Sequence, residues 1–253
     1  MKFEDILYSE KDGVATIAIN RPEKLNAIRG RTISELEGAF AHAAQSRNIG
    51  VVVMTGVGDR AFSSGGDVQW EVGGGLDGLD WKLGQMILEC LKPTIAQVSG
   101  YAIAAGNHMA YFCDFTIAAD HSIFGQNGPR IGSPAAGYPV MHLAGIIGHK
   151  RAREMWMLCR RYTAQQMLEW GLVNAVVPKE QLDEEVNHWC RELLALSPTC
   201  LKTVKASFNQ LVNLQPVGEV VKRVAPDYFS TGEQREGANA FLEKRSPDFG
   251  AWR

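Results

Sequence analysis

The spacing of apolar positions changes several times along this chain, and each change marks an element. In "DILYSEKDGVATIAINRP" apolar and polar residues alternate on both sides of Lys11-Asp12-Gly13, which predicts two half-buried strands joined by a hairpin turn. From Thr32 to Ala44, Ile33, Leu36, Glu37 and Phe40 recur at helical spacing. "GVVVMTG" then follows as a short apolar run between glycines, the pattern of a parallel strand buried on both faces. Beyond the turn "AFSSGGD" and a Gly-rich segment, the pattern predicts a helix over about Asp80 to Leu91 and the strand "PTIAQVSG". A short helix carrying His108 and the strand "DFTIAA" come next. From His149 onward "KRAREMWMLCRR", "TAQQMLEWG", "KEQLDEEVNHWCRELLAL" and "PTCLKTVKASFNQLV" all read as helices, interrupted by the single strand "LVNAVVP". Alternating strands and helices predict an α/β core over residues 1–190, followed by a helical region over 191–253. That region is too thin to enclose a core, so it is expected to pack on its own core or on another subunit.

Composition narrows the class. The chain has 253 residues, 45% hydrophobic and 21% charged, with a net charge of −2 and no run of like charges. These values fit a globular protein and lack the basic footprint of a nucleic-acid binder, so a small-molecule partner is expected. Apolar stretches are broken by Gly, Pro or polar residues well before the roughly 20 residues that span a bilayer. "MKFEDILYSEKDG" lacks the apolar core of a secretory signal, so the expectation is a cytoplasmic protein with no membrane segment. Cys90, Cys113, Cys159, Cys190 and Cys200 are scattered and odd in number, which favours core thiols over disulfides or a metal site.

Two segments imitate a dinucleotide fingerprint. Gly56-x-Gly58-x-x-Ala61 follows a predicted strand but leads into "FSSGGD", not into a helix, and Gly73-x-Gly75-x-x-Gly78 follows no strand. Both read as loops. More telling are two glycine-containing turns, "AFSSGGD" (61–67) and "GYAIAAG" (100–106), each at the end of a strand. Small residues let the backbone approach a ligand and leave N–H groups free to point at it. If both turns face one cavity, their amides form an oxyanion hole. Directly after the second turn, Asn107 and His108 sit between apolar "YAIAA" and "MAYF", an unusual place for an amide and an imidazole.

The stretches "RPEKLNA", "AFSSGGD", "GYAIAAGNHMAYFCDFTIAADHSIFGQNGPRIGSPAAGY", "KRAREMWMLCRRYTAQQMLEWGLVNAVVP" and "EGANAFLEKRSPDF" resemble, in order and spacing, the crotonase (enoyl-CoA hydratase/isomerase) superfamily. "FGQNGPRIGS", "GYAIAAGN" and "EKRSPDF" are most similar to its 1,4-dihydroxy-2-naphthoyl-CoA synthase and 2-ketocyclohexanecarboxyl-CoA hydrolase branches. The resemblance implies a spiral of ββα units with a C-terminal helical trimerisation region, assembled as a homotrimer or as a dimer of trimers. It also implies an acyl-CoA substrate, with coenzyme A as part of that substrate and no tightly bound cofactor.

Residue by residue, the resemblance places the oxyanion donors at the backbone N–H groups of Gly66 and Ala105. It places the CoA pocket at Lys24, Ala27, Ser64, Asp67 and Val68, with Phe241 and Lys244 reaching toward the CoA of a neighbouring subunit. In hydratases of the family, the position of His108 is a glutamate and the second glutamate falls at residue 128, which is glycine here. That glycine matches the one by which some naphthoate synthases admit bicarbonate. Ser133 matches the serine of the two nearer branches. Their aspartate falls on Ala135, and their tail tyrosine on Phe229, with Tyr228 beside it.

A helix starting at Ala105 would offer an orphan first-turn donor and the positive end of its dipole to an oxyanion. It would also keep His108 neutral and able to act as a general base. The expected chemistry is therefore cleavage of a C–C bond with water, or a related lyase step, on a cyclic or bulky β-keto or enoyl thioester. His108 would be the base, helped by Ser133 and by Asn107 or Tyr138. Hydratase, isomerase or naphthoyl-CoA synthase-like chemistry is the alternative, and a non-catalytic binding protein is the third reading. Trp70, Trp81 and Met86 are candidates for an apolar acyl lining or for core packing.

Overall fold

The expected hairpin opens the computed structural model, which describes residues 3–76, 82–133, 136–210 and 227–248, without the side chains of Tyr228 and Phe229. Strands β1 (Ile6–Lys11) and β2 (Val14–Ile19) pair antiparallel about Asp12 and Gly13. Both turn residues have positive φ (49° and 81°), as tight hairpins with a twist-matched turn require. Helix α1 (Gly30–Gln45) buries Ile33, Leu36 and Phe40. Three similar units follow. β3 (Val51–Gly56), β4 (Ala61–Ser63) and α2 (Val68–Trp70) form the first. After α3 (Leu83–Glu89), β5 (Thr94–Val98), β6 (Tyr101–Ile103) and α4 (Ala105–Phe112) form the second. β7 (Phe115–Ala119), β8 (Ile123–Gly125) and α5 (Gly128–Ile131) form the third.

In each unit the longer strand joins one sheet, the shorter strand joins another, and a helix closes the turn. The large sheet runs β1-β2-β3-β5-β7 and is completed by β10 (Ala175–Val177); it is parallel from β2 onward. The small sheet runs β4-β6-β8 and ends on an antiparallel β9 (Arg161–Thr163). This is the ββα spiral implied by the resemblance. The short strands had no legible pattern in the sequence because three residues are too few to show a period of two.

Helices α6 (Tyr138–Ile147), α7 (His149–Leu158) and α8 (Ala164–Glu169) flank the spiral, and α9 (Leu182–Leu194) covers the other face of the large sheet. One apolar core includes Ile17, Leu36, Phe40, Met54, Phe62, Met109 and Phe124. A second joins Val51, Val53, Ile95 and Ile117 to Leu182, Val186 and Cys190 of α9. Burial on both faces explains why β3 reads as a continuous apolar run. The expected boundary at residue 190 therefore falls inside α9.

Beyond it, α10 (Pro198–Asn209) is pinned to the core by Lys205, whose Nζ bonds Asp114 Oδ2 at 2.7 Å and the carbonyl oxygens of Lys92 and Ile87 at 3.0 and 3.3 Å. After α11 (Tyr228–Thr231), helix α12 (Glu233–Leu242) packs on α5. There the Gly237 Cα sits so close to the Ile131 backbone that a methyl group would lie 2.5 Å from the Ile131 carbonyl carbon. Among the described residues no helix is long and apolar enough to cross a membrane, and no cluster of His, Cys, Asp or Glu could hold a metal.

Candidate functional site

The turn "RPEKLNA" is shaped by two consecutive residues of positive φ, Leu25 (52°) and Asn26 (54°). Asn26 makes the conformation worthwhile. Its buried amide donates to the carbonyl oxygens of Val57 (3.1 Å) and Ala61 (2.7 Å) and accepts from Arg21 N (3.0 Å). The turn is thereby fixed against the end of β3 and the start of β4. Arg21 bonds the Ala27 carbonyl (2.5 Å) and pairs with Asp67 (2.9 Å), tying "AFSSGGD" to the same place. Backbone bonds from Ser64 N to Leu25 O (3.0 Å), Ile28 N to Gly65 O (2.8 Å) and Asp67 N to Ile28 O (2.8 Å) complete the seam. Lys24, Ala27, Ser64, Asp67 and Val68, far apart in sequence, are thus gathered along one seam. Lys24 is exposed, Ala27 buried and the others half-buried.

The two glycine turns face each other. A methyl group on Gly65 would lie 2.9 Å from Ala104 Cβ and 3.4 Å from Ala105 N, and one on Gly106 would collide with the Ser63 carbonyl. Only hydrogen at those α-carbons allows β4 and α4 to approach so closely. In the bridge between Ile28 and Gly66, the donors are Ile28 N and Asp67 N, which leaves Gly66 N outside the ladder. Ala105 is the first residue of α4 and has no intrahelical partner. Among the described residues neither the Gly66 nor the Ala105 amide donates a hydrogen bond. Ala104, just before the helix, has φ 50° and ψ −120°, a strained conformation for a residue with a side chain, and it sets the direction of the Ala105 amide.

His108 lies one turn into α4. It is half-buried, with Trp156 and Tyr111 against its ring at centroid distances of 5.1 and 5.6 Å, and its Nε2 is 3.0 Å from Gln126 Oε1. A carboxamide oxygen can only accept, so Nε2 carries the proton and Nδ1 keeps its lone pair. Burial pushes the imidazole down to about 4, partly opposed by the Gln126 bond. Burial, with aromatic rings packed against the imidazole, is the leading cause of the lowering and favours the neutral ring near pH 7. Among the described residues, Gln126 Nε2 and Trp156 Nε1 near it are buried donors without a partner, and Asn107 Oδ1 is an acceptor without one.

Sequence reasoning missed Glu71. Asp67 caps α2 by accepting from Trp70 N (3.5 Å), and the chain continues into a π-turn over Glu71–Gly75, closed by Gly74 at φ 88°. The helical turn folds Glu71 back over "SSGGD". Its carboxyl lies directly against Gly66, where a methyl group would collide with Oε1. Glu71 is 8% exposed, and burial, with Asp67 nearby, pushes its carboxyl up to about 7. The available signal was an acid between Trp70 and Val72, five residues after Gly66 and just ahead of three glycines.

Other expected residues lie elsewhere. Ser133 follows α5 and is held by its N–H to Gly128 O (2.9 Å); no described contact brings it to His108. Tyr138 packs on Phe112 (5.4 Å). Asn107 points its amide at Met155 Sδ (3.4 Å). Phe241 and Lys244 are exposed at the end of α12, and no described contact joins them to Lys24 or Asp67 within one chain. Trp70 and Met86 pack on the core. Trp81 and Ala135 lie outside the described residues, as do the side chains of Tyr228 and Phe229.

Comparison with known proteins agrees with this architecture. A methylmalonyl-CoA decarboxylase matches with a TM-score of 0.87 at 25% identity, over 98% of this chain and 99% of that one. A carnitinyl-CoA hydratase from Mycobacterium avium matches with a TM-score of 0.85 at 26% identity, over 99% and 100% of the two chains. An enoyl-CoA hydratase from Mycobacterium avium subsp. paratuberculosis K-10 also gives 0.85 at 26%, over 98% and 99%. The family model described as enoyl-CoA hydratase/isomerase matches residues 9–251. With the spiral of ββα units and the two facing glycine turns, that match shows that the chain belongs to the enoyl-CoA hydratase/isomerase family.

Proposed function

We propose that this protein transforms an acyl-CoA whose thioester oxygen is held by the amides of Gly66 and Ala105, and that it cleaves a C–C bond in a cyclic or bulky β-keto thioester. The observation that carries the reading is the pair of unpartnered amides on two turns locked face to face, with a neutral imidazole one helical turn away. Oxyanion donors fixed in place stabilise charge as it develops, and each lowers the barrier by roughly 3–4 kcal/mol. His108 Nδ1 takes a proton from water, which attacks the ketone carbon. The alkoxide collapses, the C–C bond breaks, and the electron pair moves into the thioester as an enolate held by the two amides. The unpartnered Gln126 and Trp156 donors suit a neutral oxygen on the acyl group, such as the β-ketone. The CoA moiety would lie along Lys24, Ala27, Ser64, Asp67 and Val68.

A second reading, hydration or isomerisation of an enoyl-CoA, is favoured by Glu71, which supplies a carboxyl that positions 108 and 128 lack. Assay with 2-ketocyclohexanecarboxyl-CoA and with crotonyl-CoA separates the two. Ring opening is expected, turnover of crotonyl-CoA alone selects the second reading, and turnover of neither favours a binding protein.

A further inference from the structure

We infer that Glu71 is the acid that protonates the α-carbon of the thioester enolate. The inference rests on the oxyanion reading above, and it holds for C–C cleavage and hydration alike, since both produce a carbanion equivalent at that carbon. The Glu71 carboxyl covers the α-carbon of Gly66, the residue whose N–H would hold the thioester oxygen. The substrate α-carbon is two bonds from that oxygen, so a proton donor for it must stand close to the oxyanion donors, and Glu71 lies against Gly66, one of the two. Glu71 opens a π-turn, an irregularity that recurs at functional sites. Nothing else uses the carboxyl: no hydrogen bond to it is described, and Asp67 is the one charged group described as acting on it. Burial keeps it protonated up to about pH 7, so an acid is present at neutral pH.

The step balances. The enolate electron pair at the α-carbon takes the proton from Glu71, the thioester carbonyl reforms, and Glu71 is left as the carboxylate. The proton that His108 took from water is released to solvent, from which Glu71 is reprotonated.

By microscopic reversibility the Glu71 carboxylate also removes an α-proton, so the test is exchange of the α-hydrogens of butyryl-CoA in D2O, followed by mass spectrometry. The wild-type protein is expected to exchange them, faster as pH rises through about 7. Glu71→Gln, which keeps the shape and loses the acid, should bind butyryl-CoA by calorimetry as the wild type does, yet exchange about 10²–10⁴-fold more slowly and without the pH inflection. Exchange at the wild-type rate in Glu71→Gln overturns the inference and leaves the oxyanion reading standing. A wild type that binds butyryl-CoA without exchanging overturns both. If Glu71→Gln fails to fold, the wild-type profile decides: an inflection near pH 7 supports the assignment, and a flat profile overturns it.

Discussion

His108 and Glu71 show opposite consequences of one physical effect. Burial disfavours the charged form of each, lowering the imidazole from 6.5 to about 4 and raising the carboxyl from 4.5 to about 7. The folded state resists protonating His108, so the stability that its neutral ring contributes is present above pH 6.5 and is lost as pH falls through about 4. Glu71 works in the other direction: its contribution is complete below pH 4.5 and is lost as pH rises through about 7. Thermal melts are therefore expected to show the wild type losing Tm relative to Glu71→Gln as pH rises from about 4.5 to about 7, with the two curves parallel above that; parallel curves across the lower window would contradict the burial of the acid. His108→Gln should lose about 10²–10⁴-fold in turnover with its CoA affinity kept, measured with whichever thioester proves active. His108 was legible in the sequence because an imidazole interrupts an apolar helix. Glu71 was not, because its position depends on a π-turn in a glycine-rich segment that has no period to read.

At the scale of elements, the legible parts were those long enough to show a period: the hairpin, β3, α1 and the helices from His149 to Asn209. What stayed hidden was the small sheet, whose strands are specified by tertiary contacts and by close approach at Gly65 and Gly106. The junction of β6 and α4 shows how such contacts override local preference. Ala104 occupies φ 50°, where a Cβ costs about 1–3 kcal/mol. Glycine accepts that conformation freely but gives up about 0.4–1 kcal/mol through the unfolded chain. Ala104→Gly is therefore expected to leave stability unchanged or raised in urea titrations. A loss of more than about 1 kcal/mol would show that the residue is not strained.

Across the whole molecule, the C-terminal helices are anchored by few but specific contacts. Lys205 is 5% exposed and joins α10 to Asp114, Thr94 and two backbone carbonyls at once. Removing one partner of such a pair strands the other, so Lys205→Met should cost about 3–5 kcal/mol and expose α10 to proteolysis before the core. Met141, Met157, Leu158, Phe208 and Phe241 are each exposed on one chain, apolar side chains that the proposed trimer or hexamer would cover, along with the proposed reach of Phe241 and Lys244 toward a neighbour's CoA. Light scattering on the eluted protein should give three or six times the chain mass of 27.8 kDa, and a monomer would contradict that proposal. Beneath all of this lies the proposed convergence of the Gly66 and Ala105 amides on one thioester oxygen. Isotope-edited infrared spectroscopy of a bound acyl-CoA carrying ¹³C at its thioester carbonyl measures that directly. Two amides on the oxygen should move the carbonyl stretch below its frequency in water, whereas a stretch at or above the aqueous value would mean that the amides do not hold it.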